Sequence, residues 1–310
     1  MASFPAHGLL AAIEYVRATW PFWNASDGAD HLLASNHDTG ACSWPKLARQ
    51  AIALTSFGCA GNGCGHNPSE CFDPAKDVPM PPSMPGPQYI AANAHQHSQH
   101  FTSRENFFYF AGRGVGEHSE KESDAYSHGV RQQVYKHHHG RPGWVMERMV
   151  DREADMFKSS TFCLAPMGHG WGSRLYKMLG SGCIPVIIQD DMWHVGQVEE
   201  LLDYPAFSVT VLQKDIPTLN TTLESIPQEK LQSMAFHAVK YFPRFFWKEM
   251  VRQEWPGDEE PDAFQVVLAT LKAKALRRDT RLSKEKQDAR IADVRAFLNR
   301  FHTLDHHIIS

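Results

Sequence analysis

Residues 162–188, FCLAPMGHGWGSRLYKMLGSGCIPVII, constrain the fold more than any other stretch of this chain. Phe162 to Ala165 is a short apolar run suited to a strand buried on both faces. Pro166, Gly168, Gly170 and Gly172 then interrupt regular structure and let a ligand approach the backbone closely. Ser173 stands where it can cap a following helix, whose Leu175, Met178 and Leu179 recur at helical spacing. Gly182 ends that helix, and Ile184 to Ile188 reads as a second strand interrupted only by Pro185. A strand, glycine loop, helix and strand in this order put backbone N–H groups at the C-terminal edge of a parallel sheet, where phosphorylated ligands bind. Arg174, on the first helical turn, adds a guanidinium able to grip a diphosphate through paired hydrogen bonds.

The surrounding text repeats the alternation. A strand is expected at 107–110, helices at about 126–138 and 148–158, and strands at 161–165 and 184–189. A short helix near 197–202, a strand at 206–211 and a helix at 228–240 follow. Such alternation predicts a mostly parallel sheet covered by helices. Upstream, residues 5–19 carry a helical pattern and 46–56 a second helix. The proline-rich PMPPSMPGPQ is a stiff connector, and the text from 262 onward is charged and helical, either a solvated amphipathic tail or terminal helices that return to the first domain. The expected divisions are 1–92, 93–250 and 251–310. A length of 310 residues suffices for one large or two medium domains.

A second glycine-rich loop, AGRGVGEHSE, follows the strand FFYF directly. Gly112, Gly114 and Gly116 miss the dinucleotide spacing by one position, but the strand-then-glycine context favours a ligand edge over an ordinary turn.

The wording of these segments resembles the exostosin-type glycosyltransferases, glycosyltransferase family 47. FCLAP with its glycine loop, SRL and GCIPVII carry the resemblance, with Asp190 and Asp191 behind the second strand. FFYFAGR, GVRQQV, DREADMFKSS and DYPAFSV stand in the family's order, as do YVRATWPFWNASDGADH and CFDPAKDVPMPP upstream. The resemblance covers residues 10 to about 245.

It implies a GT-B fold, a pair of Rossmann-like domains across a cleft, whose first domain is truncated here to an acceptor-side part at 1–92. It implies inverting, metal-independent transfer of a sugar from a nucleotide-sugar donor, a UDP-sugar above others, to a glycan or glycoprotein acceptor. No cofactor is implied beyond that co-substrate. Arg113 and Arg131 match the family's strand-ending FAG-R and its VR helix, where they would neutralise the departing pyrophosphate; a helix-surface salt bridge is the competing reading for Arg131. With Gly112, Gly170, Gly172, Ser173, Arg174, Asp190 and Asp191 they make the expected donor site. Asp30 and His31 match the family's GRDH and would supply the base facing the cleft; otherwise Asp30 braces its own loop. Trp20, Phe22 and Trp23 would stack on sugar rings or simply pack.

One departure weighs against activity. Lys177 stands where the family carries an acidic residue that accepts bonds from the nucleotide ribose, and an ammonium only donates. The proline–aromatic step expected after Asp190 is also replaced, by DMWHVGQ. A catalytically degenerate relative that binds carbohydrate or a partner is therefore the alternative function.

Charge nearly balances, 31 basic against 35 acidic residues, so no nucleic-acid surface is expected. No apolar run reaches the roughly 18–20 residues that span a bilayer, and MASFPAHGLL is no secretory signal. The family is typically Golgi-resident, so the resemblance implies a Golgi lumen or membrane location, reached through a segment outside these residues. Cys42, Cys59, Cys64 and Cys71 cluster in one loop region and leave disulfides, free thiols and zinc as alternatives. Cys163 and Cys183 read as small buried core residues. HQHSQH and the triplet His137 to His139 read as solvated histidines, not ligands.

Overall fold

The computed structural model describes residues 4–37, 39–60, 71–82, 104–116, 127–166, 174–190, 194–195, 199–250 and 261–299. The chain divides into two compact units. One comprises Met1–Ser83, His194–Leu202 and Gly257–Ser310; the other comprises Met84–Trp193 and Asp203–Pro256. These divisions differ from boundaries at 92 and 250, because the chain returns twice to the first unit.

The first unit opens with helices α1 (Phe4–Thr19) and α2 (Phe22–Ser26). Strands β1 (Leu32–Ser35), β2 (Ile52–Thr55) and β3 (Val78–Pro79) form a parallel sheet in that order. The helix expected over 46–56 is absent: Lys46–Ala48 is a single 3-10 turn and β2 follows. AIALT is an apolar run too short for periodicity to tell helix from strand, and burial of alternate residues settles it here. Ile13, Trp23, Trp44, Ala48 and Ala53 make the core of this unit.

The KDV segment is structural. Asp77 accepts from Ala53 N–H and Asp73 N–H, each at 2.8 Å, and Lys76 Nζ donates to Ala51 O at 2.6 Å. Burial pushes the Asp77 carboxyl up despite these donors.

Two helices close the unit, numbered last in chain order as α9 (Ala263–Arg278) and α10 (Lys284–Asn299). Asp262 and Gln265 form a reciprocal capping box at the start of α9. Ala263, Val266, Val267 and Ala273 are buried, and Lys274 Nζ reaches Pro74 O at 2.6 Å and Glu200 at 2.8 Å. Residues 263–299 are thus helical as expected but packed, not a solvated tail.

The second unit holds the larger sheet. Its strands are β4 (Asn106–Ala111), β5 (Trp144–Glu147), β6 (Ser160–Leu164), β7 (Ile184–Ile188) and β8 (Val209–Val211). They run β8-β7-β6-β4-β5, every pair parallel. The connecting helices are α3 (Val130–His138), α4 (Glu153–Ser159), α5 (Arg174–Gly180) and α6 (Tyr204–Phe207). Helices α7 (Leu219–Glu224) and α8 (Gln228–Tyr241) follow β8. The expected helix over 148–158 is shorter, because β5 and its turn occupy 144–152. Read in chain order the sheet is 2-1-3-4-5, a doubly wound Rossmann-like arrangement.

Both faces of this sheet are covered. Phe108, Phe110, Phe162, Leu164, Val186 and Ile188 join one core, while Tyr109, on the opposite face, meets Phe157 edge-on at 5.4 Å. Arg104 ties the N-terminal edge together, donating to the carbonyls of Phe157, Ser160 and Ser181. Burial lowers its pKa to about 10, so it remains a cation at neutral pH.

Two expectations need amending. Cys163 and Cys183 are buried core residues as expected, but they are joined in a disulfide linking β6 to the residue before β7. Register explains it: Phe162 lies opposite Ile184, which brings the two thiols together. In the first unit Cys42 pairs with Cys71 and Cys59 is also disulfide-bonded. His138 is no solvated histidine. Its ring is fully buried, stacks on Trp144 at 4.8 Å and meets Ile216 O at 2.6 Å through Nε2.

Candidate functional site: the carboxyl edge of the larger sheet

The order 2-1-3-4-5 reverses direction between β4 and β6, and a crevice opens beyond the carboxyl ends of strands at such a reversal. Gly112 leaves β4 there, on the carboxyl side of the sheet. Two guanidinia converge on it from the helices that follow the two strands. A Cβ built on Gly112 would lie 3.4 Å from Arg174 Nη2 and 3.6 Å from Arg131 Nη1. Both side chains rest on the buried Phe110 ring, with Cζ at 5.3 Å for Arg131 and 4.9 Å for Arg174. The sequence reading predicted Gly112, Arg131 and Arg174 as donor residues, and the fold brings these three together.

Arg131 is built into its place. Its Nε donates to Ser127 Oγ at 3.2 Å and its Nη1 to Arg113 O at 3.4 Å. Gly114, at φ +87°, lets the loop lie on its stem: a Cβ there would approach Arg131 Cβ to 2.8 Å. Arg131 is therefore a buried cation and does not lie on the exposed surface of its helix. Arg113 contributes a carbonyl to this arrangement, while its own side chain is exposed.

Sequence reasoning missed Glu153, which begins α4. Its carboxylate lies 3.7 Å from Arg174 Nη1 and 2.8 Å from Lys177 Nζ. Lys177, one turn beyond Arg174, is thus engaged by a carboxylate on a neighbouring helix. The signal was present in DREADMFKSS, but only the α4–α5 packing pairs it with Lys177.

Asp190 follows β7 by two residues and accepts from Gln213 N–H at 2.8 Å, so its carboxylate caps the turn after β8. Gly170, Gly172, Ser173 and Asp191 lie outside the described residues. Among the described residues no cluster of three or more His, Cys, Asp and Glu forms a metal site. None of the described helices is long and apolar enough to cross a membrane.

In the first unit Asp30 and His31 form a dyad, Asp30 Oδ1 to His31 Nδ1 at 2.9 Å. Ser26 Oγ donates to the same carboxylate oxygen. The Ser26 hydroxyl first, then the His31 ring, hold the Asp30 carboxyl below its usual range. A carboxylate only accepts, so Nδ1 is the donor of this bond. Trp23, buried, packs against the His31 ring at 4.7 Å, whereas Trp20 and Phe22 are exposed.

Chemically, two guanidinia over an apolar ring at a sheet's carboxyl edge suit an anion with several oxygens, such as a diphosphate. Residues 8–226 match the Exostosin GT47 domain. A "Probable glucuronosyltransferase" of Oryza sativa subsp. japonica is 31% identical over 236 residues, covering 71% of this chain and 52% of that protein. A "Probable beta-1,4-xylosyltransferase" of Arabidopsis thaliana is 30% identical over 231 residues, 71% of this chain and 53% of its own length. The chain spans about half the length of these curated relatives. With the Exostosin GT47 match running through both units and through the edge that carries Gly112, Arg131 and Arg174, the chain belongs to the exostosin glycosyltransferase family GT47.

Proposed function

We propose that the protein transfers a sugar from a UDP-sugar to a glycan acceptor with inversion and without a metal ion. The observation that carries this is the convergence of Arg131 and Arg174 on Gly112 at the switch point of a Rossmann-like sheet. The two guanidinia take the donor diphosphate and stabilise its charge as the sugar leaves, the task a metal performs elsewhere. The names of the relatives point to a uronic acid or pentose donor, so UDP-glucuronic acid and UDP-xylose are the first candidates.

His31 Nε2 is the base for the acceptor hydroxyl, and Asp30 is the residue that orients it and stabilises the imidazolium. Two units, each with a parallel sheet, support a GT-B pairing. The disulfides Cys42–Cys71 and Cys163–Cys183 support maturation in an oxidising compartment such as the Golgi lumen.

Lys177 favours the second reading, a binding-only relative, but its engagement by Glu153 weakens that argument. The lysine does not stand as an uncompensated cation where a hydroxyl acceptor belongs. The two readings separate in one experiment. Ligand-observed NMR with a UDP-sugar panel, against Arg174→Ala, tests donor binding; single-turnover assays with glycan primers then test transfer. Arg174-dependent binding with transfer supports the enzyme; binding without transfer, or no donor binding by folded protein, rejects it and leaves the degenerate relative.

A further inference from the structure

Three consecutive residues before α3 hold left-handed backbone angles: Ser127 at φ 63°, His128 at 50° and Gly129 at 72°. For Ser127 and His128 this conformation is unfavourable in a free chain, so surrounding contacts must impose it. The contacts are visible. Gln213 Nε2 donates to His128 O at 2.8 Å. Gln213 is itself fixed, because its backbone N–H is taken by Asp190 Oδ1 at 2.8 Å. On the other side of the turn, Ser127 Oγ accepts from Arg131 Nε at 3.2 Å.

A single hydrogen-bonded chain thus runs from the end of β7, through Asp190 and Gln213, across the strained turn, to the guanidinium beside Gly112. We propose that Gln213 is a positioning residue for Arg131: by clasping His128 O it keeps the 127–129 turn left-handed and so holds Ser127 Oγ under Arg131 Nε. Released from Gln213, the turn relaxes toward the ordinary helical region. Ser127 Oγ and the first turn of α3 then shift, and Arg131 loses the orientation in which it and Arg174 address the same anion. The inference rests on the donor-site reading above. It also gives Asp190 a role at one remove from the donor, as anchor of Gln213.

A double-mutant cycle in the full chain tests it. Gln213→Met keeps length and bulk but removes the donor; UDP-glucuronic acid and UDP-xylose are the probes, with dissociation constants from ligand-observed NMR. The expected result is about tenfold weaker binding by Gln213→Met, equivalent to about 1.4 kcal/mol, and no further weakening when the change is added to Arg131→Ala. The same loss in both backgrounds, or none in the first, overturns the inference, since a merely structural glutamine acts regardless of Arg131. Should Gln213→Met fail to fold, Gln213→Glu, which preserves shape but accepts instead of donating, replaces it. If neither Arg131→Ala nor Arg174→Ala alters binding, the donor-site reading falls and this inference with it.

Discussion

Arg174 and Lys177 lie one helical turn apart and share Glu153, yet their sequence neighbourhood assigns them opposite meanings. Arg174 reads as a diphosphate ligand from its place after a glycine loop, and its convergence with Arg131 accords with that. Lys177 reads as a lesion, because it stands where the family pattern has an acidic residue, and the carboxylate that engages it is 24 positions away on another helix. Arg174→Ala is expected to weaken UDP-sugar binding about 10–100-fold, the worth of one or two charge-assisted hydrogen bonds, while leaving the melting temperature nearly unchanged. Unaltered affinity would remove Arg174 from the site. His31→Gln is expected to retain donor affinity and to lower transfer by about 100-fold or more, as loss of a general base does. Equal turnover would discard the dyad.

His138 shows the same limit of local reading: its place in a histidine triplet said solvated, its packing on Trp144 says core. Burial, chiefly, lowers its pKa below 6.5. The unfolded chain therefore binds the proton more readily than the folded one. The stabilising contribution is complete above about pH 6.5 and is lost as pH falls through the folded-state pKa. Thermal denaturation between pH 7 and 5 should show a smaller decline for His138→Gln, which keeps an N–H donor but does not titrate. Parallel declines would place the acid sensitivity elsewhere.

At the scale of elements, strands β6 and β7 and helix α5 were legible in the sequence, since the two apolar runs, the helical spacing of Leu175, Met178 and Leu179, and Gly182 mark them strongly. Its cross-link was not legible, because strand register is a property of the pair and not of either strand. The Cys163→Ala/Cys183→Ala double variant is expected to lose about 2–4 kcal/mol, the usual worth of a disulfide closing a loop of this kind. An unchanged urea midpoint would show that the bond contributes nothing.

Gly182 is tested in the same way. At φ +64° an added Cβ would stand 3.0 Å from Arg104 Nη2, whose guanidinium ties three segments of the sheet's N-terminal edge. Gly182→Ala should therefore cost about 1–2 kcal/mol, from left-handed strain plus the displaced arginine, readable by the same denaturation. The short strand β2 marks the opposite case. Ile52–Thr55 is apolar without a period, and only its pairing with β1 and β3 makes it a strand.

Across the whole molecule, the two units are woven from one chain, with 194–202 and 257–310 returning to the first. Bonded cysteines occur in both units, so reduction should be felt in each. Expression in an oxidising compartment is expected to give folded chain, and reducing conditions to lower its yield and cooperativity; equal yield in both would argue that the disulfides are dispensable. Sequence alone determined that a parallel α/β unit lies around 107–211, with glycine-rich segments after its strands and Arg174 at the start of a helix. Those features are local: turns, caps and periodicity are written within a few residues of one another. Tertiary structure alone decided that the two guanidinia meet over Gly112, that Glu153 engages Lys177, and that Cys163 pairs with Cys183. It also decided that Gln213 braces the turn before Arg131. Each of these joins residues separated by tens of positions, and only the strand order and helix packing bring such residues into contact.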